Sequence, residues 1–255
     1  MKVNVFRITA VLLILFCLVA GAVNAQFLPG ELPVKSGIWD YPIKPGMEEW
    51  KELKSHQEMV DVCQIPVNLL SEISTEELAE MCLNYPLFFT MKAFNNLQEG
   101  FNQVATEFNG FQELFKRTDA GIVLLAIYRQ CAPESIQKIK DLIPQGLQKQ
   151  RIFFIEFLLS QPVIIEKLSD VEKKYLLSET IVKMEEKTKT GFSTFNKQAT
   201  SLIAVRVLEN KSMPGNKIKD ANSEQYKVFS KSILLMDKNM IDEIKNATLE
   251  YLKNN

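Results

Sequence analysis

The chain is read as all-α, an irregular antiparallel multi-helix body, on three observations. From Glu48 onward, apolar residues recur three and four places apart, the spacing that lines one face of a helix. Strict alternation of apolar and polar residues never lasts long enough for a strand. The periodic stretches are also punctuated by helix-start chemistry: Ser74-Thr75-Glu76-Glu77, Ser169-Asp170, and Pro133, Pro144 and Pro162. A short α-solenoid-like array is the alternative. Pro66-Val67 through Ser74 matches Pro162-Val163 through Ser169 only if one residue is skipped, and no period covers the chain.

The first residues have the form of a targeting segment. Lys2 and Arg7 precede an apolar run from Ile8 to Val23, and Val23-Asn24-Ala25 offers a cleavage site before Gln26. The run is shorter than the roughly 20 residues a spanning helix needs. Residues 1–25 are therefore expected to be a cleaved secretory signal, leaving a periplasmic or secreted chain with no transmembrane segment. An uncleaved anchor is the alternative. Lipid attachment at Cys17 is disfavoured, because Leu15-Phe16 stand where small residues are needed.

Residues 26–47 hold Pro29, Pro33, Pro42 and Pro45 with Gly30, Gly37 and Gly46, too many breakers for regular structure. This extended arm also carries Trp39 and Tyr41, which an idle linker would rarely hold. Ile38 to Tyr41 is expected to strap against the helical body; an aromatic ligand for a partner is the second reading.

Residues 48–255 are expected to form a single helical domain, with a possible division into layers 48–132 and 133–255. Glu48 to Cys63 reads as one helix ended by Pro66, followed by a short helix from Pro66 to Ile73. Ser74 to Glu77 is a capping box that opens the next, and Pro86 ends or kinks it. Phe94 to Arg117 reads as a long helix with weak points at Gly100 and Gly110, each costing about 1 kcal/mol relative to alanine. Thr118-Asp119 caps a helix whose Ile122 to Ile127 run is apolar nearly all round, a candidate for the centre of the body. Arg151 to Leu159 is a second buried helix, interrupted only by Glu156. After Ser169-Asp170 a helix runs to Lys189, Gly191 separates it from another over 192–208, and 210–223 is a loop. A long final helix follows, with Tyr226, Phe229, Ile233, Met240, Ile244 and Leu252 on its stripe.

The least ordinary stretch is Phe94 to Arg117. Phe94, Phe101, Phe108 and Phe115 recur every seven residues, and Asn95, Asn102 and Asn109 keep the same beat. Asparagine is a mediocre helix former that competes for backbone hydrogen bonds. Three on one stripe are expected either to bond neighbouring backbone and set helix register, or to form an interaction seam lining a groove.

Chemistry is mostly excluded. The formal net charge is −1, with mixed signs along the chain, so nucleic acid is an improbable partner. His56 is the only histidine, too few for a histidine-based metal site. Cys63, seven residues away on the expected helix, stands about 10 Å from it along the axis. There is no Gly-x-Ser-x-Gly, phosphate-cradling loop or dinucleotide fingerprint. Adjacent carboxylates such as Glu76/Glu77 diverge around a helix by about 100° and make no acid/base dyad. No catalytic, cofactor or metal residue is assigned. The mature chain keeps Cys63, Cys82 and Cys131; Cys63 and Cys82 are the candidate disulfide, and three buried thiols are the other reading.

Ile65-Pro66, Ile73 to Leu78, Cys82 to Pro86, and Phe108-Asn109-Gly110 with Glu113-Leu114 resemble exported helical proteins of Gram-negative bacteria, over residues 48–130. That resemblance implies export and brings no activity, cofactor or site. The functional expectation is an exported interaction or scaffold module whose partner is another protein of the cell envelope. A carrier of an apolar, lipid-like ligand in a phenylalanine-lined cavity is the alternative, and a hydrolase with a site not visible in the sequence comes third.

Overall fold

Capping chemistry decides where the helices begin in the computed structural model, which describes residues 39–210, 223–233 and 238–255. Ser74 and Ser169 open complete capping boxes with Glu77 and Glu172, starting α4 (Thr75–Leu83) and α11 (Asp170–Lys189). Ser55, Asn96, Asp141 and Ser193 accept from backbone N–H groups at the starts of α2 (His56–Val62), α5 (Leu97–Glu107), α9 (Leu142–Leu159) and α12 (Thr194–Glu209). Pro133 and Pro162 begin the single turns α8 (Pro133–Ile136) and α10 (Pro162–Ile165). The remaining helices are α1 (Glu48–Glu52), α3 (Val67–Glu72), α6 (Asn109–Leu114), α7 (Ala120–Gln130), α13 (Ser223–Ser232) and α14 (Lys238–Asn254), with a 3-10 turn at Phe88–Ala93. Among the described residues there is no strand, and the protein is all-α.

Three stretches expected to be continuous are divided. Glu48 to Cys63 breaks at Leu53, whose backbone is extended, and restarts at Ser55. The phenylalanine stretch begins where the 3-10 turn ends and holds two helices, α5 and α6, because Phe94 and Phe108 both take extended backbone. The final stripe is split between α13 and α14, and Ile233 has a φ of 55°, a left-handed conformation unusual for a β-branched residue. Gly100, read as a weak point, is a requirement of packing. A Cβ there would lie 2.0 Å from the Met91 carbonyl oxygen, so only glycine lets α5 approach the 3-10 turn.

One hydrophobic core draws on residues from Tyr41 to Tyr251. Its aromatic heart is tightly interlocked: Phe108 stacks on Tyr85 at 3.9 Å, Phe88 on Phe154 at 3.9 Å, and Phe101 meets Phe157 edge-on at 5.2 Å. All of Ile152 to Leu159 is buried, as expected. The most enclosed helix is nevertheless α12, where every residue from Gln198 to Leu208 is buried, whereas Ile122 of α7 lies exposed. Small side chains explain this: Ala199, Thr200, Ser201 and Ala204 let α9, α11 and α14 all close on α12. A helix enclosed on several sides by elements distant in sequence differs from a solenoid, in which each repeat touches only its neighbours.

Tyr41 is the fastening of the arm. Its ring is buried against Tyr85 and Phe108, and its hydroxyl donates to the Met81 carbonyl at 2.8 Å. Trp39 packs edge-on over it at 4.9 Å. The leader at 1–25 and the arm as far as Ile38 lie outside the described residues. No helix among the described residues is long and apolar enough to cross a membrane.

Candidate functional site

An open cleft of about 1150 Å³ lies where α5, α10, α12 and α13 converge. Apolar side chains form its floor: Phe101 and Ile165 are buried, and Ala105 and Phe115 half-buried. Asn102, Thr106 and Glu166 make an exposed polar rim.

One side is built from an amide relay anchored by an arginine. Gln98 Nε2 donates to Asn102 Oδ1 at 2.8 Å and to Gln161 Oε1 at 3.0 Å. Its Oε1 accepts from Arg206 Nη2 at 2.7 Å. Arg206 also donates to the Ser160 carbonyl at 3.0 Å, and from both Nε and Nη2 to the Ser230 carbonyl at 2.9 and 2.7 Å. The side chain therefore ties α9, α12 and α13 together behind the cleft. It is 8% exposed, and among the described residues it makes no ion pair. Burial pushes its guanidinium down to about 10, against the pull of the Glu209 carboxylate. The relay spends both Gln98 N–H donors internally and Gln161 donates to the Phe157 carbonyl at 2.9 Å, so over the apolar floor the wall offers the exposed Asn102 Nδ2 donor and spare acceptor positions on the amide oxygens.

The second unusual arrangement is closed. Glu156, Lys187 and Thr200 are wholly buried between α7, α9, α11 and α12. Lys187 Nζ donates to Glu156 Oε2 at 2.5 Å, to Thr200 Oγ1 at 2.9 Å and to the Asn196 carbonyl at 2.9 Å. Glu156 Oε1 accepts from the hydroxyls of Tyr128 and Thr200, both at 2.9 Å. Desolvation pushes the Lys187 ammonium down from its ordinary value, and the Glu156 carboxylate pulls it back up. Desolvation also raises the Tyr128 hydroxyl, with Glu156 adding to the shift. Every polar group in the cluster is satisfied by another, so it joins helices; no substrate could reach it.

The asparagine beat does not form one seam. Asn95 lies exposed in the bend before α5, whose cap is Asn96; Asn102 stands on the cleft rim; Asn109 opens α6 and does not line the cleft. Asn109 bonds backbone in both directions: the Ile65 N–H donates to its Oδ1 at 3.0 Å and its Nδ2 donates to the Ile65 carbonyl at 2.7 Å. The phenylalanines divide likewise. Phe94 is exposed, Phe101 and Phe115 border the cleft, and Phe108 is core. His56 is exposed and shares a 2.9 Å hydrogen bond with Glu107. Cys63, Cys82 and Cys131 are free thiols. Burial pushes the Cys63 and Cys131 thiols up to about 11 and raises Cys82 well above its ordinary value. Among the described residues, no three His, Cys, Asp or Glu side chains gather as a metal site.

Arg206, Gln98 and Gln161 were not singled out from the sequence. Arg206 had a visible signal, a lone cation within the apolar run Leu202 to Leu208; Glu156 has the same signal within Ile152 to Leu159. The glutamines had none, since amide side chains are ordinary on helix surfaces. Compared with family models, curated proteins and solved structures, the chain matches none of them.

Proposed function

We propose that this is an exported helical interaction module that receives a polypeptide segment of a cell-envelope partner in the cleft between α5, α10, α12 and α13. The observation that carries this reading is the amide relay Asn102–Gln98–Gln161 with Arg206, set beside the apolar floor of Phe101 and Ile165. An extended segment would find the Asn102 Nδ2 donor for its carbonyls and spare acceptor positions on the amide oxygens for its N–H groups, and alternate side chains would reach the floor. The carrier reading draws less support. Of Phe94, Phe101 and Phe108, only Phe101 lines this cleft, and the rings of the aromatic heart pack on one another.

The test is a photoreactive amino acid in place of Asn102 or Val163, with Ser178 on the outer face of α11 as control, in protein exported by its own host. Polypeptide adducts at the two cleft positions and none at Ser178 are expected. Adducts of lipid mass from the cleft would favour the carrier, and equal adducts at Ser178 would remove the cleft from consideration.

A further inference from the structure

α9 has two dissimilar halves. Ile152 to Leu159 are all buried, which anchors the helix rigidly in the core. Its first turns project: Leu142 is 78% and Ile143 74% exposed, and Leu147 is also exposed. Exposed aliphatic side chains that stand singly are ordinary, but adjacent ones at the tip of a rigid helix are a patch that calls for a partner.

The charges around the tip identify that partner. Within 138–149 the charged residues are Lys138, Lys140, Asp141 and Lys149, three basic and one acidic, in a chain of formal charge −1. The acidic one is occupied: Asp141 caps α9 by accepting from the Ile143 N–H at 3.1 Å. Lys138 and Lys140 are exposed. Lys149 lies seven residues beyond Leu142 on the same side of the helix, about 10 Å up the axis. Its ammonium is held beside Gln145 Oε1 at 3.0 Å. Aliphatic side chains at the tip, flanked by Lys138 and Lys140 just before it in the chain and by Lys149 two turns up the helix, suit a lipid surface with acyl chains below and phosphates above.

We propose that the N-terminal tip of α9 is a membrane-docking wedge: Leu142 and Ile143 enter the acyl boundary of an anionic lipid surface while Lys138, Lys140 and Lys149 meet its phosphates. A second copy of the chain fits less well. Three side chains fall far short of the roughly 800 Å² per partner of a stable interface. A two-fold contact would also bring Lys138 and Lys140 of both copies together. The wedge is independent of the cleft and of what the cleft binds.

The experiment is hydrogen exchange read by mass spectrometry on the full chain, with vesicles of phosphatidylcholine with and without phosphatidylglycerol. Because the readout is the segment 138–149, attachment through any other part of the chain does not imitate it. Protection of that segment is expected on phosphatidylglycerol vesicles and not on phosphatidylcholine alone. Lys138→Gln/Lys140→Gln should weaken binding through the tip roughly fivefold per lysine. Leu142→Ser/Ile143→Ser should abolish the protection with an unchanged melting temperature, since both side chains are exposed. Unaltered exchange of 138–149 on vesicles that bind the chain would overturn the proposal. So would protection that needs no vesicles and grows with protein concentration, which would assign the tip to a second copy.

Discussion

Asn109 and Ile65 are joined by two opposed hydrogen bonds, so the asparagine amide takes the place of a neighbouring backbone for a residue that no helix or strand serves. Gln64 completes the arrangement, with its Oε1 accepting from the Asn109 N–H at 3.1 Å. The link fixes the segment between α2 and α3 against the break between α5 and α6. Asn109→Ala leaves a buried backbone pair without partners and is expected to cost about 2–3 kcal/mol in urea unfolding. Asn102→Ala, on the cleft rim, is expected to cost under about 0.5 kcal/mol. Equal losses at the two positions would mean that the Ile65 link has no special role.

Two tyrosines in one aromatic cluster should respond in opposite directions. The Tyr41 hydroxyl donates to the Met81 carbonyl, and Tyr41→Phe is expected to destabilise by about 1 kcal/mol. The Tyr85 hydroxyl is buried with no hydrogen-bond partner among the described residues, while its ring stacks on Phe108. Tyr85→Phe keeps the ring and removes the burden, so thermal unfolding should show it neutral or stabilised by about 1 kcal/mol. A clear loss for Tyr85→Phe would show that the hydroxyl has a partner.

The Glu156–Lys187 pair should be costly to break and tolerable to replace. Lys187→Met alone strands a carboxylate in the core and is expected to cost about 3–5 kcal/mol, as is Glu156→Leu alone. The double variant Glu156→Leu/Lys187→Met should lose well under the combined amount, because no unpaired charge is left behind. Denaturant unfolding of the four proteins measures the coupling. Strict additivity would mean that the two side chains do not act as a pair.

The buried thiols give stability an alkaline limit. Burial holds the Cys63 thiol at about 11 against an ordinary value of 9.0, and raises Cys82 and Tyr41 as well. Between about pH 9 and 11 the unfolded chain loses protons that the folded chain keeps. The folded state then binds more protons, and its stability falls as pH rises through that window. Unfolding free energy measured from pH 7 to 10.5 should drop above about pH 9, and Cys63→Ala/Cys82→Ala should flatten the drop. Cys63 and Cys82, the candidate disulfide of the sequence, are free thiols in the fold, so the mass is expected to be the same with and without reductant.

What the sequence by itself determined is local. Capping boxes at Ser74 and Ser169, proline starts at Pro133 and Pro162, and the spacing of apolar residues define helices by contacts within one or two turns, so they are legible without the fold. The burial of Ile152 to Leu159 was equally legible, because a run of that composition has no stable place in water. Tertiary structure decided the rest. The seven-residue beat predicted one long helix, yet Phe108 takes extended backbone so that Asn109 can reach Ile65, a partner 44 residues away that no local pattern encodes. The centre went to α12 rather than to the more apolar α7, because centrality depends on how closely neighbours can approach, and small side chains allow that more than hydrophobic ones do. The cleft is likewise a product of assembly. Gln98, Gln161 and Arg206 are distant in sequence, and only the packing of α5, α9 and α12 makes them one wall.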